Sequence, residues 1–433
     1  MKENDLCKNC GKEISLKKPA GNDFCSSSCS EIFNNRMKIL DEGKETNSVI
    51  DIRKIKGIEF YKIRGPIKSY KFDYLFDKVT CLFSSKNKFS PIRNPKKILF
   101  LRNDHIGDMV YATPAFKIAK EAFPNSKVVV LAEPHNKSVI EKDKNVDEIW
   151  EIDLFWRRLF KFELKALFDY LKILRKIKRE NFDVGLDLRR SKLNTFFFLF
   201  VPRIKNRVSN YNINGGKVFL THPLIYKKTN FNHEENVDMM NDAFGLHYKY
   251  VLPYIAITKE DEKEADAFLK KNNIDKFIVV MPGCTEKDKQ WSIDKTDKFI
   301  KLFLKKYPSH KIVVSSGKGD KAIIERLCKN DTERCVPEIG ILNFRGLGAL
   351  LKKADAITAN NGAGTDIGWV VDGNLVALAG GTVRLAMHMP LKRTKVIRPP
   401  LPRFPYVPAI KQITVEEVMG AVGEFVDEKK RLW

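Results

Sequence analysis

The chain alternates between short apolar runs and longer segments in which apolar residues recur at helical spacing. Residues 97–101 form an apolar run that ends in a polar turn, and residues 109–123 then show helical spacing. Pro124 and Asn125 end this segment, and residues 127–132 form a second, β-branched run. A strand, a helix and a strand in such close succession predict a parallel βαβ unit.

The same alternation continues through the rest of the chain and predicts an α/β protein with two halves. A seam is expected near Leu252 and Pro253, because a highly charged helix follows at residues 259–271. The last helix is expected to begin at a capping box formed by Thr414 and Glu417. The other expected elements are helices at 164–179 and around Phe299, and strands at 182–188, 277–281, 312–315, 356–358 and 375–378.

Composition and charge narrow the class of protein. Of the 433 residues, 43% are hydrophobic and 30% are charged, as in ordinary folded proteins. The 78 Lys and Arg exceed the 54 Asp and Glu by 24, which favours anionic partners: nucleic acid, phosphorylated small molecules or an acidic membrane surface. The longest apolar stretch, residues 193–201, is too short to span a bilayer. The N-terminus does not resemble a secretory signal, so a cytoplasmic location is expected.

Four of the eight cysteines lie in the first 29 residues, with the spacing C-x2-C-x14-C-x3-C. Two close pairs separated by a loop are typical of small modules that place four thiolates around zinc, so residues 1–35 are predicted to form a zinc-ribbon or treble-clef-like module. Such a site has no open coordination position, which indicates a structural zinc. The alternative is four unligated thiols. Residues 36–95 are interpreted as a basic linker with one amphipathic helix. The predicted zinc ligands are Cys7, Cys10, Cys25 and Cys29.

The first candidate site is the polar turn at residues 102–108. In open α/β sheets, ligands bind beyond the carboxyl ends of the strands, so turns that follow strands are where chemistry is expected. This turn contains Gly107, where the backbone can approach a ligand, and Asp108 at the start of the next helix. A carboxylate in this position suits a general base. The alternative role of Asp108 is a helix N-cap.

Two later turns have the character of phosphate sites. Residues 282–291 follow an expected strand and contain a hydroxyl and a lysine, Thr285 and Lys289, although a lysine-rich turn can also be merely solvated. Residues 360–366 place small residues at the start of a helix. Backbone N–H groups exposed there, at the positive end of the helix dipole, suit a diphosphate.

Together the three turns resemble those of glycosyltransferase family 9, the bacterial lipopolysaccharide heptosyltransferases and their relatives. The resemblance begins at KKILFLRNDHIGDMVYATPAFKIAKEAFPNSKV, which is similar to the family's strand, R-x-D-x-x-G-D turn, helix and second strand. It continues through VGLDLRRSKLN, the segment P-G-C-T…K-x-W-S, SSGKGD and the glycine turn before LVALAGGTVR. Roughly residues 96–426 are covered, which leaves out the cysteine module and the linker.

The resemblance implies a GT-B fold, in which two Rossmann-like domains face a cleft: residues 96–253 for the acceptor and residues 254–433 for the nucleotide-sugar. It also implies inverting transfer of heptose or a related sugar from a nucleotide-diphosphate sugar to a lipopolysaccharide core or another surface glycan or glycolipid, with no cofactor for catalysis. Asp108 matches the family's catalytic aspartate, and Lys289 matches its phosphate-binding lysine. The implied donor contacts are Gly283, Thr285, Asn361, Gly362, Ala363, Gly364 and Thr365, and the acceptor-side candidates are Arg102, Asp104, Gly107 and Arg189.

The third turn departs from the family pattern. Relatives usually read D-T-G-x-x-H, whereas this chain has Asn360 at the first position and Thr365 at the last. The central Gly362 is kept, so backbone contacts to phosphate are still expected, and the departure bears mainly on the donor's identity.

Excess positive charge is concentrated on the acceptor side. Residues 151–228 contain 18 Lys and Arg and 7 Asp and Glu, and residues 155–162 interleave aromatic and cationic side chains. This pattern favours a peripheral position on the anionic inner face of the cytoplasmic membrane. The alternative is an ordinary Rossmann helix with a lysine-rich solvent face.

Two other functions remain open at this point. A zinc-containing nucleic-acid-binding protein would fit the cysteine module and the charge, but the basic residues are scattered and no known reading motif accompanies them, so no specific nucleic acid is expected. A catalytically inactive family member that acts as a scaffold would fit the departure in the third turn.

Overall fold

The structure is a computed structural model that describes residues 90–153, 164–211, 216–225, 233–249, 251–284, 289–379, 393–397 and 409–430. These residues form two compact units that part between Tyr254 and Ile255, called here the N-terminal and C-terminal domains. Each is an α/β domain with one six-stranded parallel sheet, which confirms the predicted class. The cysteine module and residues 36–89 of the predicted linker lie outside the described residues.

The N-terminal domain contains β1 (Lys97–Arg102), β2 (Lys127–Ala132), β3 (Glu148–Glu151), β4 (Val184–Asp187), β5 (Asn206–Asn210) and β6 (His222–Leu224). Its helices are α1 (Ile106–Ala122), α2 (Leu164–Glu180), α3 (Lys192–Asn194) and α4 (Glu234–Phe244), and a π-helical segment, Thr195–Phe200, continues α3. The strands are ordered β3-β2-β1-β4-β5-β6 across the sheet.

The C-terminal domain contains β7 (Phe277–Met281), β8 (Lys311–Ser315), β9 (Cys335–Glu338), β10 (Ala356–Asn360), β11 (Leu375–Leu378) and β12 (Thr394–Ile397). Its helices are α5 (Lys259–Lys271), α6 (Ile293–Lys306), α7 (Lys321–Cys328), α8 (Phe344–Lys353), α9 (Ala363–Val370) and α10 (Val415–Lys430). The strands are ordered β12-β11-β10-β7-β8-β9.

The two sheets have the same strand order when each is counted from its own first strand: third, second, first, fourth, fifth, sixth. The order reverses between β1 and β4 in one domain and between β7 and β10 in the other. Sheets of this kind bind ligands beyond the carboxyl ends of the strands, next to that reversal. The topology therefore directs attention to the turns after these four strands.

The central strands are continuous apolar runs because both faces of each sheet are covered. Residues 98–101 of β1 and residues 277–280 of β7 are buried throughout. In the C-terminal domain, α6 and α10 contribute Phe299, Phe303 and Val422 to one core with the sheet. The predicted capping box of α10 is confirmed: the Thr414 hydroxyl accepts the Glu417 N–H at 3.1 Å, and the Glu417 carboxylate accepts the Thr414 N–H at 2.7 Å.

The run at residues 193–201, the longest apolar stretch, is mostly π-helix, and Phe198 and Leu199 of this segment are buried in the N-terminal core. In the part of the chain that the structure describes, no helix is both long and apolar enough to cross a membrane.

Candidate active site

A buried arginine organises the turn after β1. Arg102 is the last residue of β1, and its guanidinium donates from Nη1 to the Leu188 carbonyl at 2.6 Å and from Nε to the Asp108 carbonyl at 2.8 Å. Nη2 lies 3.1 Å from a carboxylate oxygen of Asp108, and Nε lies 3.4 Å from one of Asp104. The structure thus brings together three of the predicted site residues and fixes them to the turn after β4.

Asp108 lies in the first turn of α1 and is not its N-cap, a position that His105 occupies. The alternative role of Asp108 as a cap is therefore wrong, and its carboxylate pairs with Arg102 instead. The Asp108 side chain is 43% exposed, so a reactant can reach it, whereas the Arg102 side chain is 7% exposed. Gly107, just before it in the same turn, is buried. The ion pair fixes this accessible carboxylate where the proton of a reactant can reach it.

Asp104 differs from Asp108 in its burial. Its side chain is 11% exposed, and one carboxylate oxygen makes no hydrogen bond. Burial raises the pKa of Asp104 to about 7, and the nearby Arg102 only partly opposes that rise. The Asp104 main-chain carbonyl is held by Asn136, at 3.0 Å.

The turn after β4 is built around Asp187, which the sequence analysis did not single out. One oxygen of this fully buried carboxylate accepts N–H groups from Arg189 and Arg190, and the other accepts the Ser191 N–H and the Thr195 hydroxyl. Burial raises the pKa of Asp187, and these hydrogen bonds oppose that rise. The resulting turn aims Arg189, an acceptor-side candidate, back at the first turn, where its Nη1 donates to the Asn103 carbonyl at 2.7 Å.

Two further contacts close the N-terminal site and were also missed. The Asn103 and Asn194 side chains bond each other, at 2.6 and 3.3 Å, so the π-helical segment is anchored beside the Arg102 cluster. Arg190 donates to Glu235 of α4 at 2.6 Å, and both side chains are largely buried. Asn103, Arg190 and Asn194 lie within two of the segments that resemble the family, and this was the signal that could have found them, whereas Glu235 on α4 carried none.

In the C-terminal domain, the turn after β7 packs tightly on the turn after β8. A β-carbon on Gly283 would overlap the Ser316 hydroxyl oxygen and the Asp320 carboxylate, which bond each other at 2.5 Å. Any larger residue at 283 would therefore displace the Ser316 and Asp320 side chains. The neighbouring Cys284 donates from Sγ to the Asn361 carbonyl at 3.5 Å, so the second and third predicted turns lie side by side.

Asn360, at the end of β10, joins these turns through both ends of its amide. Its Nδ2 donates to the Pro282 carbonyl at 2.7 Å, and its Oδ1 accepts the Trp291 N–H at 3.1 Å. A carboxylate could accept but could not donate to the carbonyl. The residue that replaces the family's acid thus has a structural role that its amide, and not an acid, fulfils here.

Helix α9 begins at this point, with Gly362 as its N-cap. The buried Thr365 hydroxyl donates to the Gly362 carbonyl at 2.7 Å and accepts the Gly362 N–H at 3.1 Å, so it shapes the turn from within. A β-carbon on Gly364 would lie 3.0 Å from Met281 Sδ, which keeps the helix close to β7. The N–H groups of a helix's first turn have no partner within the helix, so those of Ala363 and Gly364 are suited to bind an anion.

Lys289 is partly buried and directly precedes two anchored residues. Gln290 donates to the Pro282 carbonyl at 3.1 Å, and the Trp291 N–H bonds Asn360. Because consecutive Cα atoms are about 3.8 Å apart, these bonds hold the Lys289 backbone beside the turns after β7 and β10. Thr285 and the four predicted zinc ligands lie outside the described residues.

Comparisons with known proteins identify the family of the chain. The model of glycosyltransferase family 9 (heptosyltransferase) matches residues 170–400, just over half of the chain. Lipopolysaccharide heptosyltransferase 1 of Campylobacter coli is 21% identical over 304 residues, which cover 66% of this chain and 84% of that protein.

Solved structures share the fold at low identity. A family 9 glycosyltransferase from Veillonella parvula is 16% identical, with a TM-score of 0.64 over 77% of this chain and 97% of that one. The E. coli ADP-heptose heptosyltransferase II is 14% identical, with a TM-score of 0.64 over 77% and 99% of the two chains. E. coli heptosyltransferase WaaC, solved with ADP-2-deoxy-2-fluoro heptose, is 15% identical, with a TM-score of 0.61 over 76% and 99%. The two α/β domains are therefore those of a GT-B fold, and the chain belongs to glycosyltransferase family 9, the heptosyltransferase family.

Proposed function

We propose that the protein is an inverting glycosyltransferase that transfers heptose or a related sugar from a nucleoside-diphosphate sugar to a lipopolysaccharide core or another surface glycan or glycolipid. The observation that carries this proposal is the chemistry at the two strand-order reversals. One holds an accessible carboxylate on a buried arginine, and the other holds glycine turns and a helix N-terminus. The first suits deprotonation of a hydroxyl, and the second suits a diphosphate.

In the proposed reaction, the acceptor hydroxyl attacks the anomeric carbon while the bond to the diphosphate oxygen breaks. Asp108 accepts the hydroxyl proton as the new bond forms. A single displacement inverts the configuration of the anomeric carbon. The ion pair with Arg102 holds the Asp108 carboxylate in place for this step.

The departing diphosphate is proposed to be stabilised by Lys289 and by the first-turn N–H groups of α9, with Gly283 allowing close approach. Thr285 and Asn361 are proposed as further contacts. In this scheme the positive charge at the leaving group comes from the protein. Transfer is therefore expected to continue when divalent cations are chelated, and loss of turnover in chelator that Mg²⁺ restores would contradict this part.

We propose an adenosine-diphosphate heptose as the donor, since related proteins were solved with ADP and with an ADP-heptose analogue. The test is turnover by the purified full chain on lipopolysaccharide-core acceptors, with ADP-heptose and with UDP- and GDP-sugars as controls. Product formation with ADP-heptose supports the proposal. Binding of ADP-heptose without turnover on any core acceptor would favour the scaffold function.

We propose that the protein reaches a lipid-linked acceptor as a peripheral protein on an anionic membrane. Residues 188–233 contain nine Lys and Arg and no Asp or Glu. Within them, Phe200 and Val201 are exposed beside the exposed Arg203 and Lys205. Cations next to exposed apolar side chains suit an anionic lipid surface. The aromatic and basic segment at residues 155–162, with Trp156, Arg157 and Arg158, lies outside the described residues and remains part of the proposal.

Vesicle sedimentation tests the membrane proposal. We expect binding to anionic but not to neutral vesicles, weaker in high salt and weaker again in the double variant Arg203→Glu, Lys205→Glu. The double variant Lys298→Glu, Lys352→Glu changes the net charge equally at exposed lysines of the C-terminal domain and serves as the control. Equal binding to both kinds of vesicle, or a preference for RNA over vesicles, would contradict the proposal.

We also propose that Cys7, Cys10, Cys25 and Cys29 hold one structural zinc that transfer does not need. Metal analysis of the full chain should give about one zinc, which Cys25→Ser removes. Loss of turnover in Cys25→Ser with an unchanged melting temperature would contradict the dispensability.

A further inference from the structure

The proposed reaction gives no task to the carboxyl of Asp104, which lies largely buried in the Arg102 cluster. It shares the guanidinium with Asp108: Nε of Arg102 lies 3.4 Å from Asp104, and Nη2 lies 3.1 Å from Asp108. Arg102 also donates to the carbonyls of Leu188 and Asp108. These bonds hold the guanidinium in place, so it cannot move towards one carboxylate and away from the other.

A cation shared in this way couples the two carboxyls electrostatically. When Asp104 is ionised, its charge offsets part of the Arg102 charge, and the Asp108 carboxylate holds a proton more strongly. When Asp104 is neutral, Arg102 acts on Asp108 alone and weakens it as a base. The side chains of Arg102 and Asp104 are both largely buried, so water screens the interaction between their charges poorly, whereas the more exposed Asp108 carboxylate is partly screened.

We propose that Asp104 is a positioning residue for the transfer reaction: through the shared Arg102, its charge sets how strong a base Asp108 is. This inference rests on the proposed role of Asp108 as the general base. It adds a second carboxyl to the site that never touches the acceptor hydroxyl.

The proposal predicts a pH dependence with a defined direction. Burial raises the pKa of Asp104 to about 7, so its charge appears as the pH rises through neutrality. Turnover at saturating substrates should therefore rise through about pH 7, with an apparent pKa that belongs to the coupled pair. The charged and titratable groups that face Asp104 are Arg102 at the end of β1, Asp108 of α1, Asp187 and Arg189 after β4, and His135 after β2, whose ring nitrogen bonds the Asp104 carbonyl.

The test is the pH profile of turnover for the full chain and for Asp104→Asn, whose amide oxygen can still face Arg102. We expect the variant to lose the rise near pH 7 and to be about 3- to 10-fold slower at pH 8.5, because its neutral amide no longer offsets part of the Arg102 charge beside the general base. Glu121→Gln removes an exposed carboxyl from α1, the helix that carries Asp108, and should keep the native pH profile. An unchanged step near pH 7 in Asp104→Asn would overturn the inference.

A second readout needs no turnover. The pKa of Asp104 is higher in the folded chain than its ordinary 3.8, so stability from this group is present at low pH and is lost as the pH rises from about 4 to about 7. As the pH rises from about 4 to about 7, the melting temperature of the native chain should therefore fall relative to that of Asp104→Asn. A constant difference would overturn the inference. A chain that shows the shift but transfers no sugar would contradict the proposed function instead.

Discussion

The two domains share one strand order, but different kinds of residue lie where that order reverses: charged groups in the N-terminal domain and mainly uncharged polar groups and glycines in the C-terminal domain. In the N-terminal domain, the turns after β1 and β4 carry the charged groups Arg102, Asp104, Asp108, Asp187 and Arg189. In the C-terminal domain, an amide and a thiol join the turns after β7 and β10, and a hydroxyl shapes the second turn from within. The shared topology thus fixes where a site lies, and the turn residues fix what it does.

The difference also shows how each turn is held in shape. The N-terminal turns rely on buried charges that satisfy one another and the backbone, so their properties change with protonation. The turns after β7 and β10 are joined by the neutral hydrogen bonds of Asn360 and are closely packed at Gly283 and Gly364, so we expect these bonds to be insensitive to pH. We expect the N-terminal turns to take part in proton transfer and the C-terminal turns to bind phosphates.

The largest expected effect concerns the charged turns of the N-terminal domain. Asp108→Asn should lower turnover roughly 100-fold or more, because an amide cannot accept the acceptor's proton. Steady-state turnover with ADP-heptose measures it, and Glu121→Gln, an exposed carboxyl on α1, is the control. A variant with nearly native turnover would remove Asp108 from catalysis.

The second prediction concerns the close packing at Gly283 in the turn after β7. Gly283→Ala should lower the free energy of unfolding by about 1–3 kcal/mol, because the added methyl group forces Ser316 and Asp320 apart. Chemical denaturation measures the change. Gly420→Ala, at a helix position with open space around it, should be neutral or slightly stabilising. Equal stability of the two variants would show that the glycine turn is not tightly packed.

A smaller effect addresses the departure from the family pattern. Asn360→Asp restores the usual acid but removes the donor to the Pro282 carbonyl, and we expect a loss of about 1–2 kcal/mol in unfolding free energy at pH 8. The loss should shrink at low pH, where the carboxyl is protonated and can donate. Asn361→Asp, one residue along, is the matched control. A stabilising Asn360→Asp would mean that the amide is not needed here.

Elements with a strong local sequence pattern have the bounds that the sequence predicts, and elements without one do not. Strands β2, β7 and β11 and helix α5 have the predicted bounds, since each is either a clear apolar run or a strongly patterned helix. Strand β5, with the sequence NRVSN, gave no such signal: the structure shows it as a strand through its parallel pairing with β4 and β6.

Site residues were predictable where a motif named them and not where only packing does. Asp108 and Arg102 stood in a recognisable turn. Asp187 owes its role to four donors gathered by the fold, and Asn360 to two backbone groups from the neighbouring turn. The partners of Asn360 are 69 and 78 residues away in the sequence, so no local pattern reveals them. Those of Asp187 are only two to eight residues away, but they converge on it only when the turn after β4 has formed.

The division of roles between the two domains is tested most directly by calorimetric titration of ADP into the full chain and into Asp108→Asn, Lys289→Ala and Lys298→Ala. Lys289→Ala should weaken the Kd about 10-fold, as loss of one charged phosphate contact implies, while Asp108→Asn and the exposed-lysine control Lys298→Ala should bind ADP as the native chain does. Weaker ADP binding in Asp108→Asn, together with native binding in Lys289→Ala, would contradict the account.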